Sequence, residues 1–424
     1  MTKLPPIYLD CNSTTRLDPR VANRMFYYMT TAFGNASSID HIFGDEAERA
    51  VEEAANKIAE LIGCSSKEVI FTSGATESIN LAIQGGILTA KNKPKIAVSP
   101  VEHKAVLDCC ETLAKRGLIE VVKLKVDRLG RLDLEYLERV CASGLSLLCV
   151  MAANNEIGNI YPIDIVGKIA AKYDIPFLCD GSQAVGKVPM DFAEWGITFL
   201  AISAHKLYGP KGVGALVVRR GYRLQPTIFG GGHQKGRRSG TLNVPGIVGL
   251  GEACGWRSLE MVEDERAIAI RRDRLQTLLQ QYIPGSIVNG DTTNREYLRS
   301  ASYAGNTGKW ENLRSARYAG NTGNRQDACS TRLSGNLHVS IIGIPNSAVI
   351  ARVRDRLAIS TGAACSSGVE SPSHVLQALG LSQEATDGAL RMGIGKFTTD
   401  EEIERAAEIL IATVRDIRQA MDGN

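Results

Sequence analysis

Short apolar runs that end in small or polar residues recur along this chain, and each reads as a buried strand opening into a turn. Val69-Ile-Phe-Thr, Ile96-Ala-Val-Ser, Ser146-Leu-Leu-Cys-Val-Met-Ala-Ala, Ile175-Pro-Phe-Leu-Cys-Asp, Phe199-Leu-Ala-Ile and Gly214-Ala-Leu-Val-Val-Arg are of this kind. Between them lie stretches with apolar residues at helical spacing. One runs from about Gly44 to Ile62 and ends at Gly63, another from Ile79 to about Leu88, and a long one from about Ile247 to Tyr282. Strands and helices alternating in this way predict βαβ units and an α/β fold. Near the C-terminus, Asn336-Leu-His-Val-Ser-Ile-Ile alternates polar and apolar residues, the pattern of a strand with one exposed face.

The strand ends carry the candidate chemistry, because an α/β sheet places its sites at carboxyl ends. Phe199–Ile202 runs into Ser203-Ala-His205-Lys206, and Gly-Pro-Lys-Gly then stops any continuing element. A lysine held there can form a Schiff base with an aldehyde cofactor. A solvated turn lysine would look the same in isolation. A second run, however, delivers Asp180-Gly-Ser-Gln183 at its end. Pyridoxal phosphate (PLP) chemistry needs this pair: a lysine to make the imine and an acid to keep the pyridine nitrogen protonated.

Other strand ends add to the set. Ser73-Gly74-Ala75-Thr76-Glu77 joins a strand to a helix, a form that suits a phosphate dianion or an ordinary N-cap. His103 follows the next strand and could stack on a planar cofactor or move protons. Asn154 and Asn155 end another, as cofactor or substrate donors or as plain turn formers. The glycine-rich Phe229–Thr241 loop carries Lys235, Arg237 and Arg238. It reads as an anion or partner contact, or as a mobile surface loop. Arg391 lies on a short strand, where a guanidinium can hold a carboxylate by a bidentate pair. Cys365 sits among small residues that Pro372 ends, a setting that suits a mobile nucleophile or an incidental thiol.

Composition narrows the class. The 424 residues are 44% hydrophobic and 22% charged with net charge +3, enough for a large core and no call for nucleic acid or a membrane. The ten cysteines include no Cys-x-x-Cys pair and no zinc spacing. Met-Thr-Lys-Leu-Pro-Pro carries no apolar signal segment, so the expectation is a cytoplasmic protein with free thiols. An 11-residue stretch from Leu298 recurs almost unchanged from Leu313, a tandem duplication read as a surface insert or a docking arm.

Taken together these segments resemble the cysteine desulfurases of the NifS/IscS type, within the class V aminotransferases. The resemblance rests on Tyr8-Leu-Asp, Gly34-Asn35 with His41, Thr72-Ser-Gly-Ala-Thr-Glu-Ser, Glu102-His103, Asn154-Asn155-Glu-Ile-Gly, Asp180-Gly-Ser-Gln183, Ser203-Ala-His-Lys206, Arg238-Ser-Gly-Thr241, Gly362-Ala-Ala-Cys365 and Arg391. It covers nearly the whole chain apart from about 292–330. Asn12-Ser and Gly181 depart from the family's usual residues, and the duplication is not a family feature. The resemblance implies fold type I of the PLP-dependent transferases: an α/β protein with a mostly parallel seven-stranded sheet in a large domain (16–259) and a smaller α+β domain (1–15 and 260–424). It implies that Lys206 carries PLP, Asp180 pairs with the pyridine nitrogen, Gln183 with the ring hydroxyl, and His103 stacks on the ring. Ala75, Thr76, Ser203 and His205 would hold the phosphate, with Thr241 reaching in from the second subunit of a homodimer. Asn155, Arg391 and Asn12 would bind the L-cysteine carboxylate, and Cys365 would take its sulfur for a sulfur-acceptor protein such as an iron–sulfur scaffold. A selenocysteine lyase, an ordinary aminotransferase and a silent scaffold are the competing readings.

Overall fold

The computed structural model describes residues 5–87, 93–292, 331–362 and 373–422. Its centre is a seven-stranded sheet. The strands are β2 (Val69–Thr72), β3 (Lys95–Val98), β4 (Glu120–Lys123), β5 (Leu147–Cys149), β6 (Phe177–Asp180), β7 (Phe199–Ser203) and β8 (Gly214–Val218). Their order is β2-β8-β7-β6-β5-β3-β4. Strands β4, β3, β5, β6 and β7 pair in parallel, while β8 runs antiparallel to both β7 and β2. Two antiparallel steps restore direction, so β2 points the same way as β7. The carboxyl ends of β2, β3, β5, β6 and β7 therefore share one edge of the sheet.

Side-chain alternation explains the layers. Ile70, Ile96, Val98, Leu178, Phe199, Ala201 and Leu216 face one apolar cluster with α3 (Ala75–Ile87) and α4 (Lys104–Lys115). Phe71, Ala97, Leu148, Cys179, Leu200, Ile202 and Val217 face another, with α2 (Ile42–Ile62), α5 (Leu134–Ala142), α6 (Ile163–Lys172) and the first part of α7 (Val244–Tyr282). Both faces are covered, so the strands read as continuous apolar runs. The helix expected from Ile79 starts four residues earlier, at Ala75. Gly63 ends α2 at φ 72°, a left-handed cap that glycine adopts without strain.

A smaller sheet, β12-β10-β9, forms the second core from β9 (Ser286–Val288), β10 (Asn336–Ile341) and β12 (Ala389–Gly393). The 39-residue α7, about 58 Å long at 1.5 Å per residue, joins the two cores. Ile247, Leu250 and Cys254 pack in the first, and Ile268, Leu275 and Leu279 in the second. One expectation is overturned here: β10 has no exposed face, and all six of its residues are buried. Its polar alternates are paired internally in part, with Asn336 Oδ1 and His338 Nε2 left without a hydrogen-bond partner among the described residues. Asn289 donates to His338 Nδ1 at 3.0 Å and to Ser340 Oγ at 2.8 Å, and the Ser340 hydroxyl donates to the Ala385 carbonyl at 2.5 Å. Polar periodicity cannot tell a solvated face from a hydrogen-bonded buried one. Among the described residues, no helix is long and apolar enough to cross a membrane.

Candidate active site

The shared sheet edge gathers the predicted residues. Asp180 ends β6, beside Ala201 in the register of β7. Two residues beyond Ala201 comes Ser203, followed by a single 3₁₀ turn, Ala204–Lys206. His103 follows β3 and caps α4, its Nδ1 accepting the Ala105 amide at 3.1 Å. That bond leaves the proton of the neutral ring on Nε2. Gly74, with φ 153°, turns β2 into α3. A Cβ on the neighbouring Gly214 would lie 2.7 Å from the Gly74 Cα, so two glycines let β8 and this turn meet. The first amides of α3, those of Ala75 and Thr76, have no intrahelical acceptor and carry the positive end of the helix dipole.

The N-terminal segment, residues 10–15, clasps the lysine turn. Lys206 Nζ donates to the Asn12 carbonyl at 2.6 Å and the Ser13 carbonyl at 2.7 Å. Thr15 N and Oγ1 both donate to the His205 carbonyl, and His205 Nδ1 lies 3.1 Å from Thr14 Oγ1. Gln183 Nε2 donates to the same Asn12 carbonyl at 2.9 Å. Asp180 Oδ1 accepts the Ser182 amide at 2.9 Å and its hydroxyl at 2.6 Å, which fixes the carboxylate at the strand end.

Arg391 on β12 brings the second core to this edge. It is buried and donates to Asp10 Oδ1 at 2.8 Å, Ser13 Oγ at 2.6 Å and the Asn155 carbonyl at 3.0 Å. Its Nε has no partner among the described residues.

Electrostatics favour reactive, uncharged bases. Burial, then the cations Lys187 and Arg391, bring the Lys206 ammonium down to about 7, against the opposing pull of Asp180 and Asp10. Burial first, and then Lys206, lower His205 to about 4, so its imidazole is neutral at pH 7.

Several expected roles shift in the structure. Asn12 meets Lys206 and Gln183 through its backbone carbonyl, while its own amide reaches the Asn155 carbonyl at 3.5 Å. Asn155 likewise meets Arg391 through its carbonyl. Asn154 is fully buried and structural: it donates to the Val101 carbonyl and accepts the amides of Glu156 and Ile157. Glu102 Oε1 accepts the Met151 amide at 2.7 Å, tying the end of β5 to the segment after β3. The Phe229–Thr241 loop is anchored. The Gln234 amide pairs with both backbone groups of Phe71, at 2.7 and 2.9 Å, and Arg238 binds Glu77 at 2.7 Å. Thr76 and Thr241 are exposed. Cys365 and the duplicated stretch lie outside the described residues. Asp10, Ser13, Ser182 and Lys187 are the contacts that sequence reasoning did not single out as site residues.

A lysine at one strand end, an acid at the next, and a helix N-terminus on the same edge define a PLP-dependent transferase of fold type I. Known proteins agree. Residues 7–315 match the "Aminotransferase class-V" family. The cysteine desulfurase IscS of Anaeromyxobacter dehalogenans (strain 2CP-C) is 40% identical over 417 residues, covering 98% of this chain and 94% of that one. A solved NifS-like protein superposes with TM-score 0.82 at 31% identity, covering 97% and 99%. SspA, solved in complex with cysteine, gives TM-score 0.73 at 28% identity, covering 93% and 100%. The chain belongs to the class V aminotransferases and, within them, to the cysteine desulfurases of the NifS/IscS type. The residues present fit the family's cofactor: a half-buried amine whose charge is disfavoured, for the aldehyde, a fixed carboxylate for the ring nitrogen, and helix amides without an intrahelical acceptor for the phosphate.

Proposed function

We propose that this enzyme converts L-cysteine to L-alanine and passes the sulfur to Cys365 as a persulfide, for delivery to an acceptor such as an iron–sulfur scaffold. The observation that carries the reading is Lys206 Nζ, held between two carbonyls with its pKa near 7 at the strand end next to Asp180. When bound, PLP supplies an electron-accepting ring conjugated to the substrate nitrogen. Lys206 would hold the aldehyde through Nζ and would carry the substrate Cα proton on the same atom. Asp180 holds the ring nitrogen protonated. Ala75, Thr76, Ser203 and His205 would hold the phosphate, and His103 would lie against the ring. Arg391, whose Nε has no partner among the described residues, would hold the substrate carboxylate, with Asn155 and Asn12 as further donors. The Cys365 thiolate attacks the substrate sulfur. One S–S bond forms, the Cβ–S bond breaks, and Cβ takes a proton to become the methyl of alanine. No outside oxidant is required.

The test is direct. Purified enzyme incubated with cysteine should release alanine, and one sulfur atom should appear on Cys365 by peptide mass spectrometry. Ketoacid-dependent amino transfer without sulfur on the protein would overturn the reading.

We also infer a homodimer. Phe26, Met29, Phe33, Ile39, Ile42 and Phe43 expose large apolar side chains on and between α1 (Pro19–Thr30) and α2, and Phe33 stacks on Phe43 with centroids 5.7 Å apart. Such a face marks an interface, and the exposed Thr241 is free to enter a second subunit's site. Light scattering should give about twice the 45.7 kDa chain mass; a monomer would sink the inference. We place the enzyme in the cytoplasm, where a reducing milieu keeps thiols such as its eight described, unpaired cysteines.

A further inference from the structure

Beside Asn12 lies a small cavity of about 10 Å³, lined by Cys11, Asn12, Lys187, Tyr208 and Glu265 among others. Lys187 leaves the turn that follows β6. The amides of Ala184 and Val185 bond to the Gly181 carbonyl, those of Lys187 and Val188 to the Ala184 carbonyl, and Gly186 reverses the chain at φ 74°. Its Nζ donates to Gln183 Oε1 at 3.1 Å. Gln183 Nε2 donates to the Asn12 carbonyl at 2.9 Å, and that carbonyl accepts Lys206 Nζ at 2.6 Å. Three hydrogen bonds thus connect the two lysines.

The chemistry of the partners fixes the direction of this chain. An ammonium only donates, so the carboxamide must turn its oxygen to Lys187. A carbonyl only accepts, so the carboxamide must turn its nitrogen to Asn12. The two demands agree, and Gln183 has one orientation. We propose that Lys187 is a positioning residue for the Lys206 centre: it locks the Gln183 carboxamide with its N–H groups toward the cofactor side and places a second positive charge behind Lys206. The proposal rests on the reading of Lys206 as the imine lysine.

The charge has a definite sign at Lys206. Five groups beside Lys206 bear on it. Asp10 from the N-terminal segment and Asp180 from β6 favour its ammonium form, while Arg391 from β12 and Lys187 disfavour it. His205, its neighbour, is neutral at pH 7. The charge of Lys187 is itself disfavoured by burial and supported first by Glu265, which Arg257 also binds at 2.9 Å. Removing the Lys187 charge must therefore raise the pH at which the nitrogen of Lys206 loses its proton.

The experiment is a pH titration of the visible absorption of the holoenzyme, with borohydride reduction and peptide mapping as a second readout. Lys187→Met should move the spectral midpoint upward by about 0.5–1 pH unit, and Lys187→Arg should restore it. Gln183→Leu should weaken cofactor retention as Lys187→Met does, and the double variant should lose little more than either single one. An unchanged midpoint in Lys187→Met, or a fully additive double variant, overturns the proposal. Should Lys187→Met fail to fold, Lys187→Gln, which keeps a donor without the charge, is read by the same midpoint. Mapping of the reduced cofactor to a lysine other than 206 would instead overturn the reading of Lys206, whatever the titration gave.

Discussion

Lys206→Ala is expected to lower alanine formation from cysteine by at least about 10⁴-fold, because one side chain serves as both nucleophile and proton carrier. General acid–base catalysis alone is worth about 10²–10⁴-fold, and the loss of the covalent anchor comes on top of it. In free energy this is more than about 5.5 kcal/mol of barrier at 1.36 kcal/mol per decade. The protein environment sets up the effect. With its pKa near 7, roughly half of Lys206 is neutral at pH 7. An unperturbed lysine, with pKa about 10.4, would be neutral about 10³-fold less often. The sign follows: uptake of the aldehyde should rise with pH through about 7 and level off above it. Folding should survive the substitution, since Nζ bonds two backbone carbonyls that Gln183, at Asn12, and solvent can satisfy in part. The checks are the rate of alanine release and mapping of borohydride-reduced cofactor. A variant within tenfold of the parent rate would remove Lys206 from the chemistry.

The parts of this site that were legible in the sequence are those that local pattern encodes. Asp180, Ser203, Lys206 and His103 each follow an apolar run, and a strand's end is visible from its own residues. What pattern does not encode is which atom of a residue meets which neighbour. Asn12 reads as an amide donor, yet its carbonyl is the acceptor shared by Lys206 and Gln183, 194 and 171 positions away. Asn154 and Asn155 look equivalent, yet one is spent on Val101, Glu156 and Ile157 while the other stands against Arg391. The clasp of residues 10–15 over the lysine turn is a tertiary contact without a local signature. The burial of His338 and Ser340 has no local sign because their partner, Asn289, lies just past β9, 49 and 51 positions away. The sheet's shared edge, by contrast, follows from strand order and handedness, so a βαβ reading of the sequence places the site before any contact is known.

The second large effect is expected at Cys365. Cys365→Ser should keep cofactor and cysteine binding but reduce turnover and sulfur release by at least about 10²–10³-fold, since a hydroxyl is far less ionised than a thiol and is a poor nucleophile toward sulfur. The described residues on either side show why this thiol is suited to the task. Gly362 packs against Glu156, where an added Cβ would lie 2.6 Å from Cγ and the backbone holds φ 87°. On the far side, His374 Nε2 donates to the Glu102 carbonyl at 2.9 Å. Glu102 follows β3 and Glu156 follows β5, so both flanks of the segment are moored at the sheet edge that carries Lys206. Cys365 is three residues from Gly362, within about 10 Å of extended chain. The other described cysteines are far less reactive: burial pushes the thiols of Cys11, Cys64, Cys110 and Cys254 up to about 12 and those of Cys109 and Cys141 to about 11. Burial also raises Cys149 and Cys179 well above the ordinary thiol range. At pH 7 to 8 none of these presents an appreciable thiolate. The measurement is alanine release together with peptide mass spectrometry after exposure to cysteine. Persulfide on another cysteine of the Cys365→Ser variant, at the parent rate, would defeat the assignment.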